Sequence, residues 1–153
     1  MRLVIQRVSW ARVRVGEEVV GEIGHGALVL AGIGVADDED TVRRMADKLA
    51  GLRYFEDAEG RTNLEIAAAG GAYLVVSQFT LYADLRRGRR PGFTDAALPD
   101  VAAPLVEVFV VRLRSLGHAV STGQFGAPMA VELVNDGPFT LLLDSDRDLA
   151  KAP

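Results

Sequence analysis

The stretch that decides the fold is Ala27-Leu28-Val29-Leu30-Ala31-Gly32-Ile33, in which no side chain is charged or polar. Such a continuous apolar run is typical of a strand that is buried on both faces. Two segments precede it: residues 3–15, in which valine alternates with arginine, and residues 19–23, which follow the turn Gly16-Glu17. A period of two and a short turn are typical of a hairpin. The chain is therefore predicted to begin with three strands, the third in the interior of a sheet.

Two helices are predicted to interrupt the strands. The acidic residues 37–40 precede an apolar pattern of helical spacing. Acidic groups favour the positive end of a helix, so this cluster indicates a helix start in preference to a metal-binding loop. A second helix is predicted over residues 101–116, with Gly117 in the position of a C-terminal cap. Further strands are predicted at residues 53–55, 72–80, 118–122, 129–134 and 139–144.

Many strands and few helices predict an α+β fold, with a barrel-like curled β-sheet and two helices packed outside it. The length of 153 residues suits a single domain with a core of its own. We place that domain at residues 1–145 and a flexible tail at residues 146–153.

The composition excludes several kinds of chemistry. Cysteine is absent, so disulfides, zinc–thiolate sites and thiol nucleophiles are excluded, and a reducing cytosol suits the chain. The two histidines, His25 and His118, stand alone without the spacing of metal ligands, so we expect no metal site. The first residues are not expected to form a signal peptide, and no apolar run has the length that spans a membrane.

The net charge of −4 argues against a general nucleic-acid binder. Charge is uneven, however, because Arg86, Arg87, Arg89 and Arg90 fall within five positions, between Leu85 and Pro91. Two interpretations stay open for this arginine cluster. It is either a solvated loop or a local anion site that binds phosphates despite the net negative charge of the chain.

Two polar segments interrupt apolar runs: Ser77-Gln78-Phe79-Thr80-Leu81 and Asn135-Asp136-Gly137-Pro138-Phe139-Thr140. The first either merely ends a strand or supplies chemistry, with Thr80 as a nucleophile or backbone N–H groups as an oxyanion site. A threonine nucleophile needs a base, and neither histidine can be assigned to it from the sequence. The second segment is either a tight turn or, through its Gly-Pro pair, a rigid wall that presents two carbonyls in a fixed direction.

Taken together, these two segments resemble the signature motifs of the D-aminoacyl-tRNA deacylases, and the resemblance covers nearly the full chain. Each motif alone is weak, but several in the same order along one short chain are specific. The other segments similar to that family are Met1-Arg2-Leu3-Val4-Ile5-Gln6-Arg7-Val8, Val20-Gly21-Glu22-Ile23-Gly24, Leu52-Arg53-Tyr54-Phe55-Glu56-Asp57, Gly88-Arg89-Arg90-Pro91 and Thr122-Gly123-Gln124-Phe125-Gly126-Ala127.

The resemblance implies a barrel-like α+β domain that works as a homodimer with its active site at the interface. It implies hydrolysis of the ester between a D-amino acid and the 3′ end of tRNA, a translation proofreading reaction of the cytoplasm. L-amino acids would be rejected, whereas mischarged glycine, which has no side chain, would be removed. The implied partner is the acceptor end of an aminoacyl-tRNA. No metal, organic cofactor, membrane or DNA is implied.

The resemblance also assigns substrate-binding residues. Gly137 and Pro138, joined by a cis peptide, would reach from one subunit into the pocket of the other. Their carbonyls would hold the amino group of the substrate, and the wall that they form would exclude an L side chain. Arg7 would brace the Gly-Pro loop, and Met129 would line the pocket beside it.

The predicted catalytic segment comprises Ser77, Gln78, Phe79 and Thr80. Backbone N–H groups around Phe79 and Thr80 would stabilise the developing oxyanion, and Gln78 would shape the pocket. We favour attack by water assisted by the terminal ribose 2′-hydroxyl, which requires an RNA substrate, because no base for Thr80 is visible. Direct attack by Thr80 stays open. Residues 86–90 are the candidate contact with the acceptor end.

Three positions depart from the pattern of the family. Gly92 stands where serine is expected, Pro128 where a residue other than proline is expected, and Phe139 where valine is frequent. None of these changes removes a group from the pocket, although Pro128 directly precedes Met129 and affects how that side chain is placed.

Overall fold

The computed structural model describes residues 1–149. Its elements are β1 (Arg2–Val15), β2 (Glu18–Ile23), β3 (Gly26–Gly32), α1 (Glu39–Ala50), β4 (Arg53–Glu56), β5 (Thr62–Glu65), β6 (Ala72–Ser77), a 3₁₀ helix (Phe79–Tyr82), α2 (Pro99–Ser115), β7 (Val120–Thr122), β8 (Ala130–Asp144) and α3 (Ser145–Asp148). Strands outnumber helices, and the predicted α+β class is confirmed.

The long strand β1 organises the main sheet. Its first half pairs antiparallel with β3, its second half pairs antiparallel with β2, and β8 runs antiparallel along its other edge. Beyond β3 the pairing becomes parallel, first with β6 and then with β7. The strand order is β2-β1-β3-β6-β7 with β8 on β1, while β4 and β5 form a small separate hairpin.

The sheet curls until its two ends meet. The hydroxyl of Ser121 in β7 donates a 3.1 Å hydrogen bond to the carbonyl oxygen of Glu22 in β2. Gly21 lies so close to Thr122 that a β-carbon at position 21 would stand 2.2 Å from the Thr122 carbonyl oxygen. β-Sheets twist with a fixed hand. The contact between β2 and β7 closes the twisted sheet into the predicted barrel-like shape.

Strand β3 is buried on both faces, as predicted. Val29 belongs to an apolar cluster with α1 and α2, whereas its neighbour Leu28 belongs to a second cluster with Val13 and Val76. Successive side chains of a strand point to opposite faces, so the two clusters lie on opposite sides of the sheet. The helices cover one side, and the curl of the sheet encloses the other.

Helix α1 begins where the acidic cluster predicts it. The Asp38 side chain accepts a 2.8 Å hydrogen bond from the Thr41 N–H, which caps the first turn. Helix α2 begins two residues earlier than predicted, at Pro99, because proline fits the first turn of a helix without loss of a hydrogen bond.

Several predicted boundaries are wrong. Strand β6 ends at Ser77 and not at residue 80, because its partner β3 ends at Gly32 and the chain then turns into the 3₁₀ helix. The strand β5 was not predicted. The two strands predicted at residues 129–134 and 139–144 are one strand, β8, which begins at Ala130, and they are not joined by a reversing turn. After Asp144 the chain forms α3, and residues 150–153 of the predicted tail lie outside the described residues.

Candidate active site

A cavity of about 550 Å³ opens where β6 ends. Ser77, Gln78 and Phe79 form one wall, and Met129 lies on another. Its remaining lining is mostly apolar, from the end of β3, the start of α2, the segment before β8 and β8 itself: Ala31, Ile33, Val76, Phe93, Ala96, Ala97, Leu98, Pro99, Ala102, Val106, Phe125, Gly126, Ala127 and Val131. Pockets for small organic groups are typically apolar clefts with a few polar groups, and this one fits that description.

The 3₁₀ helix leaves backbone donors unused at this cavity. The Gln78 N–H still pairs with the Ala31 carbonyl oxygen at 2.8 Å, and the Leu81 N–H returns to Gln78 at 3.3 Å. Among residues 1–149, the N–H groups of Phe79 and Thr80 have no acceptor. They are the first donors of a helix, which have no partner within the helix itself. Phe79 lines the cavity and Thr80 follows it directly, and two adjacent N–H groups of this kind can bind a developing negative charge.

The Thr80 hydroxyl has a hydrogen-bond partner, but neither histidine is that partner. Its hydroxyl accepts a short hydrogen bond from the Gln78 side-chain amide. The His25 ring packs against Phe55, and the His118 ring packs against Tyr73. Tyr73 lies four residues before Ser77 in β6, which is about 13 Å along a strand. Neither histidine is therefore placed to take a proton from Thr80.

The second polar segment is a bulge in β8. Asn135 pairs with Val8 and Thr140 pairs with Gln6, so residues 136–139 stand opposite Arg7 alone. We call residues 136–139 the β8 bulge. Both halves of β8 run in the same direction along β1, which rules out the tight turn left open by the sequence. A bulge displaces residues out of a sheet and redirects them.

Asn135 closes the base of the β8 bulge. Its side-chain amide donates to the carbonyl oxygens of Arg7 at 3.0 Å and Phe139 at 2.9 Å, and its side-chain oxygen accepts from the Phe139 N–H at 3.0 Å. These bonds replace the ladder that the bulge interrupts. Sequence reasoning assigned Asn135 no role. The signal available was that asparagine hydrogen-bonds nearby backbone groups more readily than most side chains.

Arg7 supports the bulge from beneath. It is 6% exposed, and its Nε donates to the Asp136 carbonyl oxygen at 3.0 Å while its Nη1 donates to the Tyr54 carbonyl oxygen at 3.0 Å. Its guanidinium carbon lies 4.6 Å from the centre of the Phe139 ring. Phe139 thus provides an aromatic face for the cation.

Gly137 and Pro138 project from the bulge and are exposed. The peptide bond between them is cis, as the resemblance implies. Gly137 has φ +150°, and a β-carbon there would lie 2.6 Å from the Phe139 nitrogen, so only glycine fits. Neither residue lines the cavity of its own chain. Met129 does, so a single chain does not bring Met129 and Gly137-Pro138 together.

The arginine cluster lies in a loop between the 3₁₀ helix and α2. Asp84 binds Arg86 through both of its carboxylate oxygens, at 2.8 Å each. This hydrogen bonding holds the pKa of Asp84 well below its ordinary value. Arg87, Arg89 and Arg90 are exposed and make no hydrogen bond or ion pair with another described residue. Three of the four arginines are thus available to a phosphate.

An aromatic pair at the mouth of the cavity was not predicted from the sequence. The rings of Phe79 and Phe93 meet edge to face, with 4.9 Å between their centres. They are 55% and 37% exposed. Phe93 comes from the end of the arginine loop, so this pair joins the loop to the cavity.

Residues 1–149 contain no group of three or more His, Asp or Glu side chains arranged to hold a metal ion. Over the same residues, no helix combines the length and the apolar character that crossing a membrane requires.

Comparison with known proteins assigns the family. Residues 4–144 match the family described as D-Tyr-tRNA(Tyr) deacylase. A D-aminoacyl-tRNA deacylase of Roseiflexus sp. (strain RS-1) is 65% identical over 145 residues, which cover 95% of this chain and 94% of that protein. One of Symbiobacterium thermophilum is 60% identical over 147 residues, covering 96% of this chain and 97% of that one.

Solved structures agree on the fold. The structure of a protein described as c-Myc DNA Unwinding Element Binding Protein has a TM-score of 0.89 and 36% identity, over 94% of this chain and 98% of that chain. A probable eukaryotic D-amino acid tRNA deacylase has a TM-score of 0.80 over 93% and 97% of the two chains, and at 19% identity it supports the fold alone.

The curled α+β domain with a cavity at the end of β6 is therefore a fold shared over nearly its whole length with deacylases. This chain belongs to the D-aminoacyl-tRNA deacylase family.

Proposed function

We propose that this protein hydrolyses the ester between a D-amino acid and the 3′ end of tRNA. The observation that carries the proposal is the cavity at the end of β6, whose wall is formed by the family motif residues Ser77, Gln78 and Phe79. A volume of about 550 Å³ suits an aminoacyl group with part of the terminal nucleoside.

The chemistry that we propose uses backbone groups. A water molecule attacks the carbonyl carbon of the ester, and the oxyanion that forms is stabilised by the N–H groups of Phe79 and Thr80. The bond to the ribose 3′-oxygen then breaks, and that oxygen takes up a proton. The free donors at the start of the 3₁₀ helix support this assignment, since donors without an internal partner need no rearrangement to bind the oxyanion.

The terminal 2′-hydroxyl is the group that we propose to assist the water. The absence of a histidine next to Thr80 supports this choice, because the neighbouring hydroxyl of the substrate can relay the proton instead. The alternative is covalent catalysis by Thr80. Its hydroxyl accepts a hydrogen bond from Gln78 and donates none within residues 1–149, so no base among these residues is in place to take its proton.

Chiral rejection is proposed to depend on a second subunit. Gly137 and Pro138 are exposed and lie outside the cavity of their own chain, so they are free to enter the cavity of a partner. There their carbonyls would hold the substrate amino group, and their backbone would clash with an L side chain. Glycine has no side chain to clash, so mischarged glycyl-tRNA is also a proposed substrate.

The rigidity of such a wall has support in the contacts of the bulge. Asn135 ties its two ends together, and Arg7 fixes Asp136 from below. A steric filter discriminates only if it does not yield, and these hydrogen bonds restrain it on both sides. The pocket role of Met129 rests on its place in the cavity wall.

Recognition of tRNA is assigned to Arg86, Arg87, Arg89 and Arg90. Their loop reaches the mouth of the cavity through Phe93, which supports a contact of these arginines with the acceptor end. Phosphate contacts would be independent of sequence and sensitive to salt. Because translation takes place in the cytoplasm, we propose that the protein acts there as a homodimer, without a membrane or DNA partner.

The direct experiment measures release of D-tyrosine from D-Tyr-tRNA by the purified protein, with L-Tyr-tRNA as the control. The expected result is rapid cleavage of the D ester and sparing of the L ester. An RNA-binding module without activity would leave both esters intact, which would overturn the proposal. Sedimentation of the same sample should give the mass of a dimer.

A further inference from the structure

The 3₁₀ helix that carries the free N–H groups has little packing of its own. It contains four residues, Phe79–Tyr82, and none of them is buried. At its start the Gln78 N–H is tied to Ala31, but Phe79 and Thr80 are exposed. Beside the edge-to-face contact of Phe79 with Phe93, the position of the helix therefore depends on contacts at its other end.

Arg2 makes those contacts. Its Nη1 donates to the Leu81 carbonyl oxygen at 3.0 Å, and its guanidinium carbon stands 4.5 Å from the centre of the Tyr82 ring. Its Nε donates to Asp144 at the end of β8 at 2.9 Å. One planar guanidinium thus joins the end of the 3₁₀ helix to the main sheet, which a flexible ammonium group could not do in the same geometry.

Tyr82 is held from a second side by Gly34. A β-carbon at position 34 would lie 2.7 Å from the ring carbon that bears the hydroxyl, so the ring occupies the space that a side chain would need. The Tyr82 hydroxyl also donates to Asp37 at 3.5 Å. With Arg2 over its face and Gly34 at its edge, the ring has one well-defined position.

We propose that Arg2 is a positioning residue for the deacylation reaction. By holding Leu81 and Tyr82 it fixes the orientation of the whole 3₁₀ helix, and with it the N–H groups of Phe79 and Thr80. The inference rests on the proposed function of those N–H groups. A 3₁₀ helix rises about 2 Å per residue, so the clamp acts within about 6 Å of the donors. Misplacement of a catalytic group by about 1 Å can cost on the order of a hundredfold in rate.

The chain offers a matched control for Arg2. Arg12 lies on the same strand, binds Glu132 of β8 through Nε and Nη2, and stands over Trp10 at 5.6 Å. The side chains of Arg2 and Arg12 are 41% and 39% exposed. Arg12 has the same kinds of partner but no contact with the 3₁₀ helix.

The first measurement compares kcat and KM of Arg2→Met and Arg12→Met on D-Tyr-tRNA. We expect Arg2→Met to lower kcat about tenfold with KM within about twofold, because the cavity and the arginine loop still bind the substrate. Arg12→Met should change neither constant by more than about twofold. Unchanged kcat in Arg2→Met, or an equal loss in both variants, would overturn the proposal.

The second measurement does not use activity. The amides of Leu81 and Ala83 are hydrogen-bonded within this segment, to Gln78 and Thr80. In Arg2→Met they should exchange with solvent at least about tenfold faster, with α2 unchanged, whereas Arg12→Met should leave them as they are. Unchanged exchange of these amides in Arg2→Met would overturn the proposed role of Arg2 in holding the 3₁₀ helix. A wild-type protein without deacylase activity would instead overturn the proposed function, and the exchange rates would still decide whether Arg2 holds the helix.

Discussion

Arg7 donates a 3.0 Å hydrogen bond from Nε to the carbonyl oxygen of Asp136, which links the middle of β1 to the β8 bulge. The donor is a nearly buried cation, and the acceptor is the first residue of a segment that leaves the sheet. The bulge is thus supported by the strand that it fails to pair with. Arg7 therefore restrains the segment that carries Gly137 and Pro138.

Arg7→Met tests this support. Loss of the guanidinium leaves the carbonyls of Asp136 and Tyr54 without their donors, and we expect the free energy of unfolding to fall by about 2 kcal/mol. Urea denaturation measures it. Arg114→Met is the control, because Arg114 on α2 also donates to a backbone carbonyl, that of Val120, but is exposed. Equal stability losses in the two variants would contradict the special role of Arg7.

Thr80→Ala separates the two mechanisms. If water attacks, the variant keeps its backbone N–H and its kcat for D-Tyr-tRNA stays within about threefold of wild type. If Thr80 is the nucleophile, the rate falls by about a thousandfold or more, as for the loss of other catalytic nucleophiles. Single-turnover deacylation measures the difference, and Thr94→Ala, which changes an exposed threonine nearby in the sequence, is the control.

A substrate change tests the role of the 2′-hydroxyl. D-Tyr-tRNA whose terminal adenosine lacks this group should be cleaved at least about a hundredfold more slowly, with similar KM, since general acid–base assistance contributes about that much. Deoxyribose elsewhere in the acceptor stem serves as the control. Equal cleavage of both substrates would show that the proton relay runs through the protein.

The arginine loop predicts the salt dependence of binding. Each phosphate contact that is lost should reduce the magnitude of the slope of log affinity against log salt concentration by about 1. Arg89→Gln is expected to do so because its side chain is exposed and makes no hydrogen bond or ion pair with residues 1–149. Arg43→Gln, which removes an arginine paired with Glu39 on α1, should leave the slope unchanged. The opposite pattern would place the acceptor stem on another face.

The features that the sequence predicted depend on residues that are close together along the chain. The alternating burial of Leu28 and Val29 was predictable because a strand without polar residues must be covered on both faces. The start of α1 was predictable because Asp38 provides a cap within its own segment. The cavity residues Ser77 to Phe79 were found because polar groups interrupt an apolar run.

What could not be predicted depends on pairing across the chain. The β8 bulge exists because Val8 pairs with Asn135 and Gln6 with Thr140, a register that no local pattern encodes. The same composition would suit a turn. The contact of Arg2 with Leu81 joins residues that are 79 positions apart, so the clamp on the 3₁₀ helix was equally invisible in the sequence.

The most direct test of a pocket completed by the partner's Gly-Pro wall is the chiral selectivity of Pro138→Ala. Selectivity is measured as the ratio of kcat/KM for D-Tyr-tRNA to kcat/KM for L-Tyr-tRNA, with Pro104→Ala as the control for loss of an exposed proline that does not line the cavity. We predict that the ratio falls at least about tenfold in Pro138→Ala, because the wall that rejects the L side chain is weakened. A Pro138→Ala protein that spares L-Tyr-tRNA and cleaves D-Tyr-tRNA at the wild-type rate would contradict it.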